Sequence, residues 1–421
     1  MARHPAHAHD PRSDVKEDVG ARAAAMLAEA AEISEPGPGV TRLPFTAEHA
    51  RAAETIEGWM RDAGLATRRD AAATIIGRRE GTDPGAGTLL LGSHQDSVKN
   101  GGAFDGMMGV LLPILAVDML GDRPLPFAVE IVAFADEEGV RFPTALLGPR
   151  ALAGTFDPGV LDLEDRDGTS LRSALADFGG DPDGLAGLAR DPEDVIGFIE
   201  THIEQGPVLE AEDLSVGIVT AICGIERHEV AITGRAAHAG TSPMDLRHDA
   251  LAAAAELVGA VERVCRETEN AVGTVGRLEV SPNVVNAVPG KVTLSVELRS
   301  ADDATRRAVR SSVEAAAREA AGGRGCALEM ACTYEQPARA CDSALRASLE
   351  RAVAASGGRP LGLMSGATHD ASAMADLCPM AMLFVRCRDG VSHHPDEYAS
   401  PEDMGAAVEA LRLFLLDRAG Q

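Results

Sequence analysis

The sequence contains few lysines and few aromatic residues. Three of its 39 basic residues are lysines, aromatic residues make up 3% of the chain, and the formal net charge is −26. Nucleic acids and anionic lipid surfaces are bound mainly by lysine and arginine side chains that neutralise phosphate. We therefore expect no nucleic-acid partner, no membrane partner and a core that is mostly aliphatic.

Long apolar runs and paired cysteine motifs are also absent from the sequence. No stretch approaches the roughly 18 apolar residues that a membrane span requires, and the N-terminal residues contain no apolar signal region. The seven cysteines are odd in number and include no CxxC pair, which favours reduced thiols over a disulfide framework. We predict a cytoplasmic protein whose seven cysteines are small, buried, apolar residues.

The order of segments predicts two domains, one inserted in the other. A chain of 421 residues is longer than one hydrophobic core usually covers. Buried strand, glycine-rich loop, helix and buried strand follow one another between 88 and 134, as in an α/β sheet. From 217 onward, alternating strands and two long helices indicate a separate α+β segment. We predict a disordered tail (1–13), a main domain in two parts (14–214 and 333–421) and an inserted domain (215–332).

Histidines and carboxylates cluster where the predicted strands end. Functional groups of α/β sheets gather at the carboxyl ends of strands, and hydrolytic metal sites need imidazoles and carboxylates from several elements. Each pair taken alone could equally be a helix cap or a solvated charge pair. Their conjunction indicates a metal site, and the candidates are His94, Asp96, Asp105, Glu137, Glu138, His202 and His393.

Two features of these candidates predict separate roles. Asp105 lies between glycines that allow close approach of the backbone and precedes a predicted helix, so we expect it to bridge two metal ions. Glu137 and Glu138 follow a predicted strand directly. One of two adjacent carboxylates can bind metal while the other takes a proton from water.

Seven motifs, in order, resemble the hydantoinase/carbamoylase branch of the M20 metallopeptidase-like family. They are GSHQDSVKNGGAFDGMMGV, FADEEGVRF, ETHIEQGPVLE, AAHAGTSPMDLRHDAL, SPNVVNAVPGKVTLSVELRS, SGATHDA and GVSHHPDE. The resemblance implies an α/β fold: a zinc-peptidase-like catalytic domain with a mixed sheet flanked by helices, plus an inserted α+β lid and dimerisation domain. It also implies a homodimer through the lid and two divalent metal ions per subunit, with zinc ranked before manganese, cobalt or nickel.

The resemblance also implies a complete metal site. Glu137 becomes the general base, and Asp96 holds a ligand imidazole in one tautomer. The histidine at 202 favours the carbamoylase branch, because peptidase relatives usually have Asp or Glu there. The implied ligands are His94, Asp105 and His202 for one ion, and Asp105, Glu138 and His393 for the other.

A substrate pocket is implied in the same way. Arg299 would bind a substrate carboxylate, which suits the planar fork of a guanidinium, and His238 would stabilise the developing oxyanion. Asn286 could instead be a turn residue and Arg299 an ordinary surface arginine. Thr368 stands where the family commonly has glycine, which leaves the exact substrate open. The implied substrate-binding residues are Gln205, His238, Asn286, Arg299, Thr368 and His369.

Together these features predict a metal-dependent amidohydrolase. It would cleave the carbamoyl C–N bond of N-carbamoyl-L-amino acids or similar ureido acids, using a hydroxide that Glu137 generates between the metals. The predicted partner is a small ureido or amide substrate that carries a carboxylate. Allantoate hydrolysis is the nearest alternative, followed by hydrolysis of N-acyl amino acids or dipeptides. A catalytically silent binding protein is disfavoured, because a protein without turnover needs no general base.

Overall fold

The computed structural model describes residues 11–421, with side chains from residue 18 onward. Residues 1–10 of the predicted disordered tail therefore lie outside the described residues. The first described helix begins at Pro11. The chain forms two compact units. The first contains the chain up to Thr220 with Cys341–Leu363 and His369–Gln421, and the second contains Ala221–Ala340 and Met364–Thr368. The lid and dimer-interface roles of the inserted domain remain predictions.

Polar caps fix where several helices begin. The hydroxyl of Thr46 accepts a hydrogen bond from the backbone N–H of His49 at 3.3 Å, Asp249 accepts from two first-turn N–H groups, and Ser400 caps a helix whose first residue is Pro401. Such caps satisfy N–H groups that have no partner inside the helix.

None of the described helices combines the length and apolar character needed to cross a membrane. The helices are α1 (Pro11–Ala31), α2 (Ala47–Asp62), α3 (Met107–Asp118), α4 (Leu147–Leu152), α5 (Leu171–Phe178), α6 (Val208–Ala211), α7 (Ala250–Glu267), α8 (Asp303–Gly322), α9 (Ser343–Ala355), α10 (Asp370–Met374) and α11 (Pro401–Arg418).

The strands belong to two sheets and one short ribbon. They are β1 (Ala66–Arg69), β2 (Ile75–Arg79), β3 (Thr88–His94), β4 (Ala128–Phe134), β5 (Val195–Ile203), β6 (Val216–Ile222), β7 (Gly224–Thr233), β8 (Ala237–His238), β9 (Ala271–Thr274), β10 (Leu278–Ser281), β11 (Ala287–Val288), β12 (Lys291–Ser300), β13 (Ala327–Gln336), β14 (Arg339–Ala340), β15 (Gly362–Ser365) and β16 (Met380–Val385).

The first unit is built on a mixed sheet with the strand order β1-β2-β4-β3-β5-β16-β6. The central strands β4, β3, β5 and β16 are parallel, whereas β2 and β6 pair antiparallel at their flanks. Every residue of β3 and β4 is buried, as expected for strands covered on both faces. Helix α3, nearly all buried, packs on β3, β4 and β5. The predicted α/β fold with a mixed sheet flanked by helices is confirmed.

The second unit contains an antiparallel sheet with the order β10-β12-β7-β13, in which β9 also pairs with β12. Helices α7 and α8 contribute with this sheet to one apolar core, in which Val230, Leu257, Val296 and Val313 are fully buried. The alternation of buried and exposed residues along β7 and β12 is typical of strands with one covered face. Strands β8 and β11 form a separate two-stranded ribbon.

The cysteines differ from the prediction at two positions. Five of them are buried, but Cys326 is partly exposed and Cys332 is exposed. Cys332 lies on β13, which is the last strand in the order of its sheet. The prediction of seven buried apolar cysteines is therefore wrong for these two residues. For Cys332 the reason is that a strand at the edge of a sheet leaves its side chains less covered than a central strand does.

Candidate metal and catalytic site

The candidate ligands of the first unit come from the ends of its parallel strands. His94 is the last residue of β3 and is in register with Phe134, the last residue of β4. Residues 136–138 follow β4, His202 is one residue from the end of β5, and His393 lies in the loop after β16. Because parallel strands direct their carboxyl ends to one edge, these side chains meet although more than 100 residues separate some of them.

The carboxylate of Asp105 lies at the centre of this group. Its Oδ1 is 3.4 Å from His94 Nε2 and 3.0 Å from His202 Nε2, and its Oδ2 is 3.3 Å from His393 Nε2. The next residue, Gly106, has φ of 65°, and a Cβ there would lie 2.3 Å from a ring carbon of His94. Glycine is therefore required at 106 by both its backbone conformation and the close approach of the imidazole.

The other ring nitrogens of two histidines are held by backbone carbonyls. His94 Nδ1 is 3.0 Å from the Asp96 carbonyl oxygen, and His202 Nδ1 is 2.9 Å from that of Ile203. A carbonyl can only accept, so Nδ1 carries the proton and a neutral ring directs its Nε2 lone pair at the Asp105 carboxylate. Two electron-rich groups facing each other at this distance require a positive charge between them, either a proton or a cation.

The pKa shifts of these residues also indicate that the group needs a positive charge at its centre. Burial lowers the pKa of His94, but hydrogen bonds to the carboxylates of Asp105 and Asp96 outweigh burial, so that its pKa is raised well above the usual value. A hydrogen bond to Asp105, opposed by burial, raises the pKa of His393 to about 9. Burial and the nearby charge of Asp105 raise the pKa of Glu138 to about 7. A divalent cation would satisfy all of these groups at once.

Glu138 and His393 form the second half of the group. Their ligand atoms and that of Asp105 lie within 4.8 Å of one another. The buried Oε1 of Glu138 makes no hydrogen bond within the described part of the chain. A buried carboxylate oxygen without a donor is costly, and a metal ion would supply its missing partner.

Glu137 is positioned through its backbone. Its N–H donates to Asp96 Oδ1 at 3.1 Å, and the N–H of Glu138 donates to Asp96 Oδ2 at 3.2 Å. The Glu137 carboxylate lies with His94 and Glu138 in one group of ligand atoms within 4.8 Å. Asp96 therefore acts in two ways. Its backbone carbonyl and its Oδ1, 3.0 and 3.5 Å away, both face His94 Nδ1, and its carboxylate also fixes the turn that carries the glutamate pair.

Two residues predicted to bind substrate lie against the ligands instead. The amide of Gln205 donates to Asp105 Oδ2 at 2.8 Å and to Ser392 Oγ at 3.2 Å. The ring of His369 is 1% exposed and packs edge-on against His202, with ring centroids 4.5 Å apart. These contacts orient the ligands of the group, and any contact with substrate remains a prediction for both residues.

The remaining predicted substrate residues lie in the second unit. His238 is exposed, and its Nδ1 accepts from the Gly240 N–H at 3.1 Å. The Asn286 carbonyl accepts from the backbone N–H of Ala239 at 2.9 Å, next to the pair that His238 forms with Ala287 in the ribbon. Thr368 Oγ1 is 3.5 Å from Gln336 Oε1.

Arg299 is held by two acceptors of the second unit. Its Nε donates to Glu297 Oε1 at 2.8 Å, and its Nη1 donates to the Gly366 carbonyl. Its side chain is 25% exposed, so the guanidinium is partly open to solvent. Its Nη2 also pairs with Glu297 Oε1 at 2.6 Å, so each of its three nitrogens has an acceptor in the second unit and the plane of the guanidinium is fixed.

Glu397 is a site residue that sequence reasoning missed. Its Oε1 accepts from the N–H groups of Phe104 and Asp105 at 3.1 and 2.9 Å, and its Oε2 accepts from Ser392 Oγ at 2.9 Å. It therefore fixes the loop that presents Asp105. The available signal was its place at the end of the motif GVSHHPDE, four residues after His393.

The chain is similar to known proteins over most of its length. The family described as Peptidase family M20/M25/M40 matches residues 90–417. An N-carbamoyl-L-amino acid amidohydrolase from Geobacillus stearothermophilus is 42% identical over 395 residues, covering 93% of this chain and 97% of the relative. An allantoate deiminase from Arabidopsis thaliana is 36% identical over 442 residues, covering 97% and 83%. The crystal structure of a hydantoinase/carbamoylase family amidase from Burkholderia multivorans matches with a TM-score of 0.89 and 32% identity, covering 96% of this chain and 98% of that one.

Proposed function

Because the chain belongs to peptidase family M20/M25/M40, in its hydantoinase/carbamoylase branch, we propose that it is a metal-dependent amidohydrolase that cleaves the ureido C–N bond of an N-carbamoyl-L-amino acid. Relatives named for the hydrolysis of carbamoyl amino acids support this reaction class. The observation that carries the proposal is the Asp105 carboxylate, which faces three imidazole Nε2 atoms from three segments of the chain.

The donor set fits two divalent metal ions that share Asp105. Imidazole and carboxylate donors suit zinc, and also manganese, cobalt and nickel. The unpartnered oxygen of Glu138 and the lone pairs aimed at Asp105 support this fit. When bound, such ions lower the pKa of water from roughly 15.7 to about 7 and polarise a carbonyl oxygen. The proposed ligands are His94, Asp105 and His202 for one ion, and Asp105, Glu138 and His393 for the other.

Glu137 is the proposed proton carrier. Its carboxylate is largely buried and lies beside the ligand atoms of His94 and Glu138. Burial raises the pKa of Glu137 well above its usual value, which makes the carboxylate a better acceptor for a proton from the attacking water. The contact of its backbone with Asp96 keeps it in place while it receives and returns that proton.

The proposed reaction is a hydrolysis in which one proton is carried by Glu137. Water adds to the ureido carbonyl carbon as Glu137 takes its proton. The bond between that carbon and the leaving nitrogen then breaks, and Glu137 returns the proton to the nitrogen. For an N-carbamoyl amino acid this step releases the amino acid and carbamic acid, and the remaining C–N bond of carbamic acid then breaks to give ammonia and carbon dioxide.

Arg299 is the proposed anchor for the substrate carboxylate. A guanidinium can donate two parallel hydrogen bonds to a carboxylate, and the contacts with Glu297 and Gly366 hold the fork in one orientation before substrate arrives. His238, at the ribbon, is proposed to donate to the oxygen on which negative charge develops, and Asn286 is proposed to bind substrate. A preorganised donor of this kind contributes about 3 kcal/mol to transition-state stabilisation.

Allantoate is the second candidate substrate. It carries ureido groups and a carboxylate, and the allantoate deiminase from Arabidopsis thaliana aligns with 97% of this chain. The partly exposed Thr368 is proposed to influence this choice, because a branched side chain there restricts the space for a second ureido group. We further propose that the protein is a cytoplasmic homodimer that associates through the second unit.

A substrate panel would test the proposed function. The metal-loaded full-length chain is incubated with N-carbamoyl-L-amino acids, allantoate, N-acetyl amino acids and dipeptides, and ammonia and free amine are measured. We expect ammonia from the ureido substrates, the carbamoyl amino acids reacting fastest, and no cleavage of the acyl substrates. Glu137→Gln at equal metal content is the control. Cleavage confined to acyl substrates, or no turnover of any substrate, would contradict the proposal.

A further inference from the structure

A second group of metal-ligating side chains lies wholly within the second unit. Glu226 and His228 are on β7, Cys332 is on the neighbouring β13, and one ligand atom from each lies within 4.8 Å of the others. None of the three belongs to the proposed catalytic machinery. We propose that this group, the strand cluster, binds one thiophilic divalent cation of the zinc type.

Strand register brings the three side chains together. His228 is paired with Cys332 across the two antiparallel strands. Glu226 precedes His228 by two residues, and residues two apart on a strand direct their side chains to the same face. Along this face the next inward position of β7 is Val230, part of the apolar core under α7 and α8. The strand cluster therefore occupies the end of a face that is otherwise apolar.

Two buried polar atoms of the strand cluster lack hydrogen-bond partners. Glu226 is fully buried and His228 is 4% exposed, yet Glu226 Oε2 and His228 Nε2 make no hydrogen bond among the described residues. The unpartnered His228 Nε2 points at Glu226, with 3.3 Å between Nε2 and Oε1. The oxygen nearest to Nε2, Oε1, also accepts from Arg310, so the buried atoms that lack a partner are Oε2 and His228 Nε2. A cation bound between the carboxylate and the imidazole would supply that missing partner.

The observed distance fits a tetrahedral ion. Zn–N and Zn–O bonds of about 2.0–2.2 Å separate two ligands of such an ion by about 3.3–3.5 Å. The Cys332 thiol supplies the third ligand, and its Sγ now donates to the Tyr334 carbonyl oxygen at 3.3 Å. Because Cys332 is exposed, an ion can enter from solvent. On binding, the S–H bond breaks, its proton goes to solvent and a sulfur–metal bond forms, leaving the fourth position to water.

Two arginines near Glu226 do not occupy this position. Arg306 Nη1 is 3.8 Å from Glu226 Oε2, and Arg310 Nη1 donates to Oε1 at 3.1 Å. Each arginine also has another acidic partner, Glu335 at 2.8 Å for Arg306 and Glu314 at 3.8 Å for Arg310. Arg310 thus shares Oε1, while Oε2 accepts no hydrogen bond among the described residues, and the Glu226 carboxylate and the Cys332 thiolate are the two anionic ligands of the strand cluster.

A sulfur ligand makes the strand cluster separately observable. The proposed catalytic ligands are histidines, aspartate and glutamate, so they give no sulfur-to-metal charge transfer. Cobalt(II) bound to a thiolate does give such a band in the near ultraviolet. Cobalt titration therefore reports on Cys332 whether or not the proposed catalytic centre binds metal.

The test uses the full-length chain stripped of metal and titrated with cobalt(II). We expect a sulfur-to-cobalt band that saturates with one equivalent, is lost in Cys332→Ser and is strongly reduced in His228→Gln. The matched control is Cys326→Ser, which removes the partly exposed cysteine of the same unit and should leave the band unchanged. The Cys332→Ser chain should bind one ion fewer than wild type.

Alkylation keeps the proposal testable if His228→Gln does not fold. Cadmium(II) should slow the reaction of Cys332 with iodoacetamide in the wild-type chain, as followed by mass spectrometry of the peptide that contains it. The absence of a band in wild type, a band that survives in Cys332→Ser, or alkylation at the same rate with and without cadmium would overturn the proposal.

Discussion

The donor group around Asp105 and the strand cluster differ in how the fold assembles them. The first collects side chains from the carboxyl ends of parallel strands and from the loops that follow them, so residues far apart in sequence meet at one edge of the sheet. The second arises from adjacent antiparallel strands, where register alone places His228 opposite Cys332. The first group contains a candidate base, Glu137, next to its ligands, whereas the strand cluster contains Cys332 as its only exposed member.

This difference indicates different roles for two similar sets of ligands. A hydrolytic site needs an open metal position beside a group that can carry a proton, and the donor group around Asp105 meets both conditions. The strand cluster lies at the end of an apolar face and shares a carboxylate with two arginines. We therefore expect substitutions in the first group to abolish turnover, and substitutions in the second to change metal content alone.

The largest effect is expected for Glu137→Gln. The amide keeps the shape of the side chain but cannot accept a proton, so kcat should fall by about 10²–10⁴-fold while both catalytic metal ions remain bound. Steady-state ammonia release and elemental analysis on one preparation would measure this. Glu138→Gln is the matched variant, and it should lose metal instead. If the two phenotypes were exchanged, the roles assigned within the glutamate pair would be reversed.

The residue types of the donor group could be predicted from sequence because each follows a strand end within a specific motif. His94, Asp105 and His202 are brought together in the structure as the sequence indicates. The atoms that make each contact could not be predicted. Whether Asp96 uses its carboxylate or its backbone carbonyl toward His94 depends on the path of the turn after β3, and the position of Gln205 depends on a local backbone with φ of 56°.

The strand cluster could not be predicted, because the pairing of β7 with β13 brings together residues about 100 positions apart without any motif. Single histidines and cysteines on alternating strands are usually core residues. Only the register of the two strands, with its irregularity between Cys332 and Tyr334, shows that His228 faces a thiol. The bounds of the two units depend in the same way on long-range contacts.

A smaller effect is expected for Arg299→Ala. Loss of a bidentate, charge-assisted contact should raise KM for carboxylate substrates by about 2–4 kcal/mol, or about 30- to 1,000-fold. Arg299→Lys should restore little, since an ammonium cannot reproduce the fork. Arg227→Ala is the matched control, because Arg227 pairs with the same Glu297 at 2.6 Å. Equal preference of wild type and Arg299→Ala for a carboxylate over the corresponding amide would show that Arg299 is not the anchor.

Asp96→Asn should have a moderate effect. Each oxygen of the Asp96 carboxylate accepts from a different backbone N–H group of the glutamate pair. The amide replaces one of these oxygens by an NH2 group, so metal affinity or activity should fall by about 10- to 100-fold. Asp70→Asn is the control, because a single oxygen of Asp70, Oδ1, accepts from the backbone N–H groups of both Ala72 and Thr74 at 2.9 Å, and the amide retains one such oxygen. Metal titration that gives the same affinity for wild type and Asp96→Asn would argue against this role.

The smallest effect on turnover is expected for Cys332→Ser. Cys332 takes no part in the proposed reaction, so kcat and KM for the best ureido substrate should match those of wild type, although the chain binds one ion fewer. Parallel activity assays and elemental analysis of the two proteins would measure both quantities. A large loss of kcat would remove the distinction between the two metal groups.

The central claim is that hydrolysis depends on the metal ions held around Asp105, and metal removal tests it most directly. Ammonia release from an N-carbamoyl-L-amino acid is measured on one preparation as isolated, after exhaustive chelation verified by elemental analysis, and after divalent metal is restored. The experiment uses the Cys332→Ser chain, so that metal bound by the strand cluster does not contribute to the number of ions per chain. The account predicts no turnover without metal and full recovery at two ions per chain. Undiminished turnover by the metal-free protein would contradict it.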